Sequence, residues 1–262
     1  AMPDQDYYSI DRISHSKLKD IRKSPAYFRY RLSRPIEETE PMLLGTLIHA
    51  MVLEPDTVSD RFILMDEKID RRTKAGKEAW AALQEGSGDK RVINQQMTDT
   101  ARRVCDCVMS DAHASMLVND CIESGSVEEE FYFDWDGVEC KSKLDGITSD
   151  GEVVDLKTTR DADPELFCLE IYKRYYHTQA AFYRTAIRKA RRSWKRHTFV
   201  VVEVEPPYGI SIISVSPEGV QIGEDTCRAW LGTYKQCVER GAWPGYGIHV
   251  AEPPRWLGRK AD

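Results

Sequence analysis

At 262 residues, with 41% hydrophobic and 10% aromatic content, the chain is long enough for one substantial folded domain, and it lacks any run of about 18 apolar residues that could span a membrane. Seven cysteines, an odd number without a repeated spacing, speak against a disulfide framework and predict reduced thiols in a cytoplasmic protein. The net charge of −6 does not exclude a nucleic-acid partner, because cations cluster locally: six fall within Arg188–Arg196, others at Arg22, Lys23, Arg29, Arg31 and Arg34, and others at Arg71, Arg72, Lys74 and Lys77. Each cluster reads equally well as a solvated helix face.

The opening AMPDQDYYSI has no basic region followed by an apolar stretch, so no secretory leader is predicted. Residues 14–54 predict helices. Ser14 or Ser16 can cap ISHSKLKDI, and Ser24-Pro25 has the cap-then-proline form of a helix start for AYFRYRL. After a Glu-rich bridge, LLGTLIHAMVLEP predicts an apolar helix ending before Pro55. A charged loop (DEKIDRRTKAGKE) precedes helices expected near 75–85 and 96–118. The period then changes to two. VEEEFYFDW, GVECKSKLDGI and EVVDLKTT predict three strands parted by the turn dipeptides Asp136-Gly137 and Asp150-Gly151. A helix is expected at 174–192, strands at HTFVVVEVE and GISIISVS, and a last helix at 217–239 before a Pro- and Gly-rich tail lying across the surface. The sum is a mixed α/β domain with a helical N-terminal layer.

The chemistry concentrates in KLDGITSDGEVVDLKTT. Asp155 and Lys157 stand two apart on one strand and so share a face, while Leu156 points to the core. The hairpin brings Asp145 back beside Asp155. A bare D-x-K is common as a structural ion pair. Here the second aspartate ten positions earlier, the hairpin and the apolar flanks favour a metal centre for phosphodiester hydrolysis. Carboxylates hold a hard cation, and the lysine can orient a water, deprotonate it or stabilise the transition state. His49, on the apolar helix, is a core histidine or a ligand according to whether its face looks at the hairpin. Gly45, one turn earlier, would let another backbone approach. Gln179 and Tyr183 are four apart on one helical face, a spacing that packing alone also explains.

The order of G-x-x-x-H (Gly45, His49), L-D-G-I (Asp145), V-D-L-K-T-T (Asp155, Lys157) and Y-H-x-Q-x-x-F-Y (Gln179, Tyr183) resembles the RecB-like branch of PD-(D/E)XK nucleases. More narrowly it resembles nuclease domains of the exonuclease VIII (RecE) type, a likeness that also takes in ISHSKLKDI, RRTKAGKE and WP…PRW. The resemblance implies a single exonuclease domain over 1–262 with a restriction-endonuclease-like core, its central mixed sheet flanked by helices. The helical part would cover about 10–120, the nuclease core about 125–240 and a surface tail 241–262. It implies metal ligation by His49, Asp145, Asp155 and the Leu156 carbonyl, and catalysis by Lys157 with the two aspartates. Gln179 and Tyr183 would support the active site and contact the scissile region. Ser16 would hold a 5′-phosphate, with Arg12 or Arg22 as the guanidinium.

Mg²⁺ is the implied cofactor, replaceable by Mn²⁺. No iron–sulfur cluster is expected, because Cys227 and Cys237 alone do not make the cysteine set of iron–sulfur relatives. The implied activity is 5′→3′ digestion of one strand of linear double-stranded DNA, leaving 3′ single-stranded tails for recombination by annealing. The implied partners are DNA ends, a RecT-like single-strand annealing protein, and further copies of the chain in a ring-shaped trimer or tetramer, with no membrane. The competing readings are a RecB-type nuclease of other polarity or of single strands, and a catalytically silent DNA-end-binding protein. The intact Asp145, Asp155 and Lys157 argue against the latter.

Overall fold

The computed structural model describes residues 5–34, 37–65 and 73–253. Arg71, Arg72 and the chain after 253, including the second half of WP…PRW, lie outside the described residues. Three short helices open the chain, α1 (Gln5–Ser9), α2 (His15–Lys19) and α3 (Pro25–Leu32), with a 3₁₀ turn at Asp20–Arg22. Ser14 and Ser24 start α2 and α3 by accepting from the backbone N–H of Lys17 and Tyr27, which the helices themselves leave unpaired. Then come α4 (Glu40–Leu53), α5 (Val58–Arg61), β1 (Phe62–Met65), α6 (Lys74–Gly86), β2 (Arg91–Asn94), α7 (Gln95–Ser110) and α8 (Ala112–Glu123). The second half runs β3 (Ser126–Trp135), β4 (Val138–Ile147), β5 (Val153–Thr159), α9 (Pro164–Lys173), α10 (Tyr176–Lys189), β6 (His197–Glu203), β7 (Ile210–Ser214) and α11 (Pro217–Arg240).

The main sheet has the order β3-β4-β5-β6-β7. β3, β4 and β5 form the expected antiparallel meander, α9 and α10 make the crossover to β6, which lies parallel to β5, and β7 returns antiparallel. On one face Leu47, Ile48, Val104 and Val118 of α4, α7 and α8 pack over Val154, Leu156, Val200 and Val202. On the other, Phe182, Ile187 and Leu231 of α10 and α11, with Leu18 and Phe28, cover Phe131, Phe133, Trp135 and Val153. The fold is thus a mixed sheet flanked by helices, with the N-terminal helices in the second layer. Among the described residues no helix is long and apolar enough to cross a membrane.

Phe182 is wholly buried, with its ring centroid 5.3 Å from that of Phe133 and 5.5 Å from that of Trp135. Phe182→Ala is expected to cost about 3–5 kcal/mol, read as a lower urea midpoint at unchanged slope. Helices α10 and α11 approach so closely that a Cβ at Gly223 would stand 2.3 Å from the His177 carbonyl oxygen. Gly45 is different: a Cβ there would lie 3.5 Å from Thr158 Oγ1, an ordinary contact, so α4 faces β5 here without needing the glycine.

Several elements depart from the sequence reading. The helix expected over 96–118 is two, because Asp111 is extended and its carboxylate accepts from the N–H groups of His113 and Ala114 to start α8. The short parallel strands β1 and β2 were not anticipated, nor was α9, and the helix expected from 174 begins at Tyr176. The tail does cross the surface, as far as it is described. Trp243 stacks on Phe28 at 5.5 Å, and Ala26 N–H donates to the Pro244 carbonyl.

Candidate metal centre

Side chains two apart in a strand share a face. In β3, Phe131, Phe133 and Trp135 pack toward α10 and α11, yet Val127 lies with the α4–α8 cluster. In β4, Leu144 and Ile147 join one cluster although they are three apart. Both strands therefore slip by one residue at the same level. Glu128 and Asp145 fall there, between the paired couples Val127–Gly146 and Glu129–Leu144. Glu128 has φ +51, a left-handed conformation that costs a non-glycine residue about 1–2 kcal/mol. The slip gathers polar groups beneath α4.

His49 Nδ1 lies 3.4 Å from Asp145 Oδ2, and ligand atoms of His49, Glu128 and Asp145 all fall within 4.8 Å of one another. Asp145 Oδ2 accepts from Leu156 N–H at 3.0 Å, and His49 also hydrogen-bonds the Leu156 backbone. One strand on, Asp155 is 1% exposed and pairs with Lys157. Lys157 Nζ sits 5.0 Å from the Tyr176 ring, and Lys143 reaches Glu128 at 3.1 Å. Beneath Asp155 lies the fully buried His197, whose Nε2 is 3.7 Å from Asp155 Oδ2. Gln179 Nε2 donates to Tyr183 OH at 2.9 Å, and the Tyr183 ring lies 6.0 Å from that of His197.

Burial pushes Asp145 up to about 7, Asp155 adds to the rise, and Lys157 opposes it. Burial and then Asp145 likewise push Glu128 up to about 7 against Lys143. Burial and Lys157 hold His49 below its ordinary value, so it is a neutral donor at pH 7. Burial alone would lower Lys157, but Asp155 and Asp145 outweigh it and keep the ammonium well above the usual lysine range. These carboxyls lack enough positive charge to stay ionised together, which is the donor set a divalent cation completes. Carboxylate oxygens, a backbone carbonyl and one imidazole nitrogen fit Mg²⁺ and suit Mn²⁺ better.

Because protons compete with the ion for Asp145 and Glu128, Mn²⁺ affinity should rise from pH 6 through about 7 and level off near pH 8. Calorimetry in buffers of different ionisation enthalpy reads the released protons directly. Affinity that is flat over this range, with no proton release, would contradict the assignment.

Sequence comparison bears on the same residues. The pattern of the PDDEXK-like domain of unknown function (DUF3799) matches residues 14–251, which takes in every residue of this centre. The chain belongs to that family. Among solved structures, a chain from Eubacterium rectale described as a candidate exonuclease has the same fold. The match has a TM-score of 0.62 and 14% identity and covers 100% of this chain and 98% of that one. No curated protein matches the chain.

Within this PDDEXK-like domain the structure brings together His49, Asp145, Asp155, Leu156 and Lys157, with Gln179 and Tyr183 behind them. The residues expected at a 5′-phosphate each have partners of their own. Ser16 is exposed on α2 and shares a hydrogen bond with Ser14, and Arg12 is taken up by Glu139 at 3.2 Å and the Tyr132 ring. Arg22 alone reaches the site's edge, over the Tyr175 ring at 4.8 Å. Half of the cations in the basic stretch Arg188–Arg196 are paired, with Arg192 on Glu129 and both Lys195 and Arg196 on Glu152.

Two members of the centre were not singled out from sequence. Glu128 was legible in principle: counting eight residues outward from each residue of the Asp136-Gly137 turn sets it opposite Asp145. His197, at the start of a buried strand, carries no such signal.

Proposed function

We propose that this chain is a divalent-metal-dependent DNA exonuclease that digests one strand of linear duplex 5′→3′ and leaves a 3′ single-stranded tail. The observation that carries the reading is the convergence of ligand atoms of His49, Glu128 and Asp145 on one spot, with the Asp155–Lys157 pair on the next strand. Membership of a PDDEXK-like family supports hydrolysis of phosphodiesters, and the resemblance to the exonuclease VIII type supports the polarity and Mg²⁺ as the usual ion. Bound at the four side chains and the Leu156 carbonyl, the ion would supply a water of lowered pKa and neutralise charge on the phosphate.

The protein's own groups do the rest. Lys157, held protonated by its aspartates, donates to the phosphoryl oxygens and stabilises their growing charge. Asp155 fixes that ammonium, and apolar residues of α4 pack over β5 beside it. Gln179 holds the Tyr183 hydroxyl at the floor. By the same resemblance we propose a cytoplasmic setting, assembly into a ring of three or four copies, and hand-over of the 3′ tail to a RecT-like single-strand annealing protein. A ring that turns cations inward would reconcile a net charge of −6 with DNA binding.

Blunt linear duplex labelled at the 5′ or 3′ end of one strand tests the reading. The 5′ label should be released early as mononucleotide or short product, while the 3′ label stays in long single strands. Early loss of the 3′ label would reverse the polarity, and cutting of closed circles would replace the exonuclease with an endonuclease.

A further inference from the structure

Residues 19–34 hold six cations and one acid, in a chain whose totals are 37 Lys and Arg against 43 Asp and Glu. The acid, Asp20, is shared with Arg31 at 3.8 Å. Four of the other five cations rest on aromatic rings. Lys23 Nζ lies 4.0 Å from the centroid of Tyr27, Arg34 Cζ 4.7 Å from that of Tyr30, Arg29 Cζ 5.7 Å from that of Trp243, and Arg22 Cζ 4.8 Å from that of Tyr175. Among the described residues none of these four makes an ion pair with a carboxylate, and all four are exposed. Tyr30 is 50% exposed and, with Arg31, Arg34 and Glu37, lines a cavity of about 470 Å³.

We propose that this face, made by the turn Asp20–Arg22, α3 and Trp243, binds single-stranded DNA and leads it to the mouth of the metal centre. The inference rests on the nuclease reading and adds to it the path of a strand. Gathering like charges on an acidic protein costs repulsion that a polyanion relieves. In Arg188–Arg196, the other dense cluster, Arg192, Lys195 and Arg196 have already met carboxylates, so half of its charge is spent.

Aromatic and guanidinium planes interleaved along about 12 Å of helix suit bases whose faces are free. A duplex hides those faces in its own stack, so the single strand is the better fit. The face also runs into the centre. Arg22 covers Tyr175, which has φ +63 and stands next to Tyr176, the ring beneath Lys157 Nζ. Half-buried Lys19 feels both Arg22 and Lys157: burial depresses it first, Asp20 opposes, and these two cations lower it further.

Anisotropy of a labelled oligothymidylate, in chelator so that no cleavage occurs, tests the proposal on the full chain. The combined variant Arg22→Gln, Lys23→Gln, Arg29→Gln, Arg34→Gln should bind at least about tenfold more weakly and flatten the log affinity against log salt plot by roughly 3 units. Tyr30→Ala should weaken binding about fivefold or more with the salt slope unchanged, as loss of stacking requires. Near-UV circular dichroism checks the fold. Should the fourfold variant unfold, Arg34→Gln and Tyr30→Ala, both at exposed positions, carry the same test.

Wild-type affinity and slope in these variants would overturn the proposal. So would an equal loss on blunt duplex, which would make the face a duplex contact. Binding as expected in a protein that never cleaves DNA would sink the nuclease reading and leave this surface standing.

Discussion

Lys157→Ala is expected to slow DNA cleavage by about 10²–10³-fold while Mn²⁺ affinity at pH 8 stays at or above that of the wild type. Both halves follow from the same geometry. The ammonium pairs with Asp155 and raises no ligand of its own, so its loss removes stabilisation of charge on the phosphate and none of the metal's donors. It also removes a cation competing for the two aspartates, which is why binding should not weaken. Because Lys157 also holds Asp145 down, its loss lets protons compete harder for that carboxyl, so the comparison is made at pH 8 and above, where this competition is weakest. Single-turnover digestion with calorimetry on the same preparation reads the two quantities. Cleavage within a few fold of wild type would mean that Lys157 is only a structural partner of Asp155.

Asp145→Asn should abolish cleavage yet raise the melting temperature of the metal-free protein. Folding raises the Asp145 pKa from 3.8 to about 7, so the ionised carboxylate is worse off folded than unfolded. Below pH 3.8 both states carry the proton and nothing is lost. Between 3.8 and about 7 the cost grows, and above 7 it is constant. The stabilisation by asparagine should follow that course, absent near pH 3.5 and full at pH 8. The 19% exposure left to the side chain lets water screen part of the cost. A gain on the order of 2 kcal/mol, or roughly 4–8 °C, is expected. Asparagine keeps an oxygen for the Leu156 N–H, so the backbone stays anchored. A fall in melting temperature in chelator would contradict the view that these carboxyls await a cation. Such a gain in stability at the expense of activity is common where a site is built from mutually repelling groups.

Much of this centre was legible because strand periodicity is short-range. Turn dipeptides set β3, β4 and β5, and the spacing of Asp145, Asp155 and Lys157 put the three together before any fold was known. Glu128 escaped because an acidic residue in EEE reads as solvent-facing, and because the local slip that turns it inward is invisible to alternation. α9 carries a cap-then-proline signal: Asp163 caps it, accepting from the N–H groups of Glu165 and Leu166, with Pro164 at its first position. β1 and β2 had none, since four-residue parallel strands show no period and pair only through tertiary contact. The phosphate contacts were hardest to place. Arg12 is spent on Glu139, whereas Arg29 of α3 and the flanking Arg22, Lys23 and Arg34 have no carboxylate partner among the described residues.

The central claim is that Asp145, Asp155 and their neighbours form a metal-dependent hydrolytic centre. Timed digestion of linear duplex by wild type and by Asp155→Asn, each with Mg²⁺ and with chelator, tests it most directly. The account predicts release of acid-soluble nucleotide by wild type with Mg²⁺ and by none of the other three. Activity in chelator, or comparable Mg²⁺-dependent release by Asp155→Asn, would contradict it.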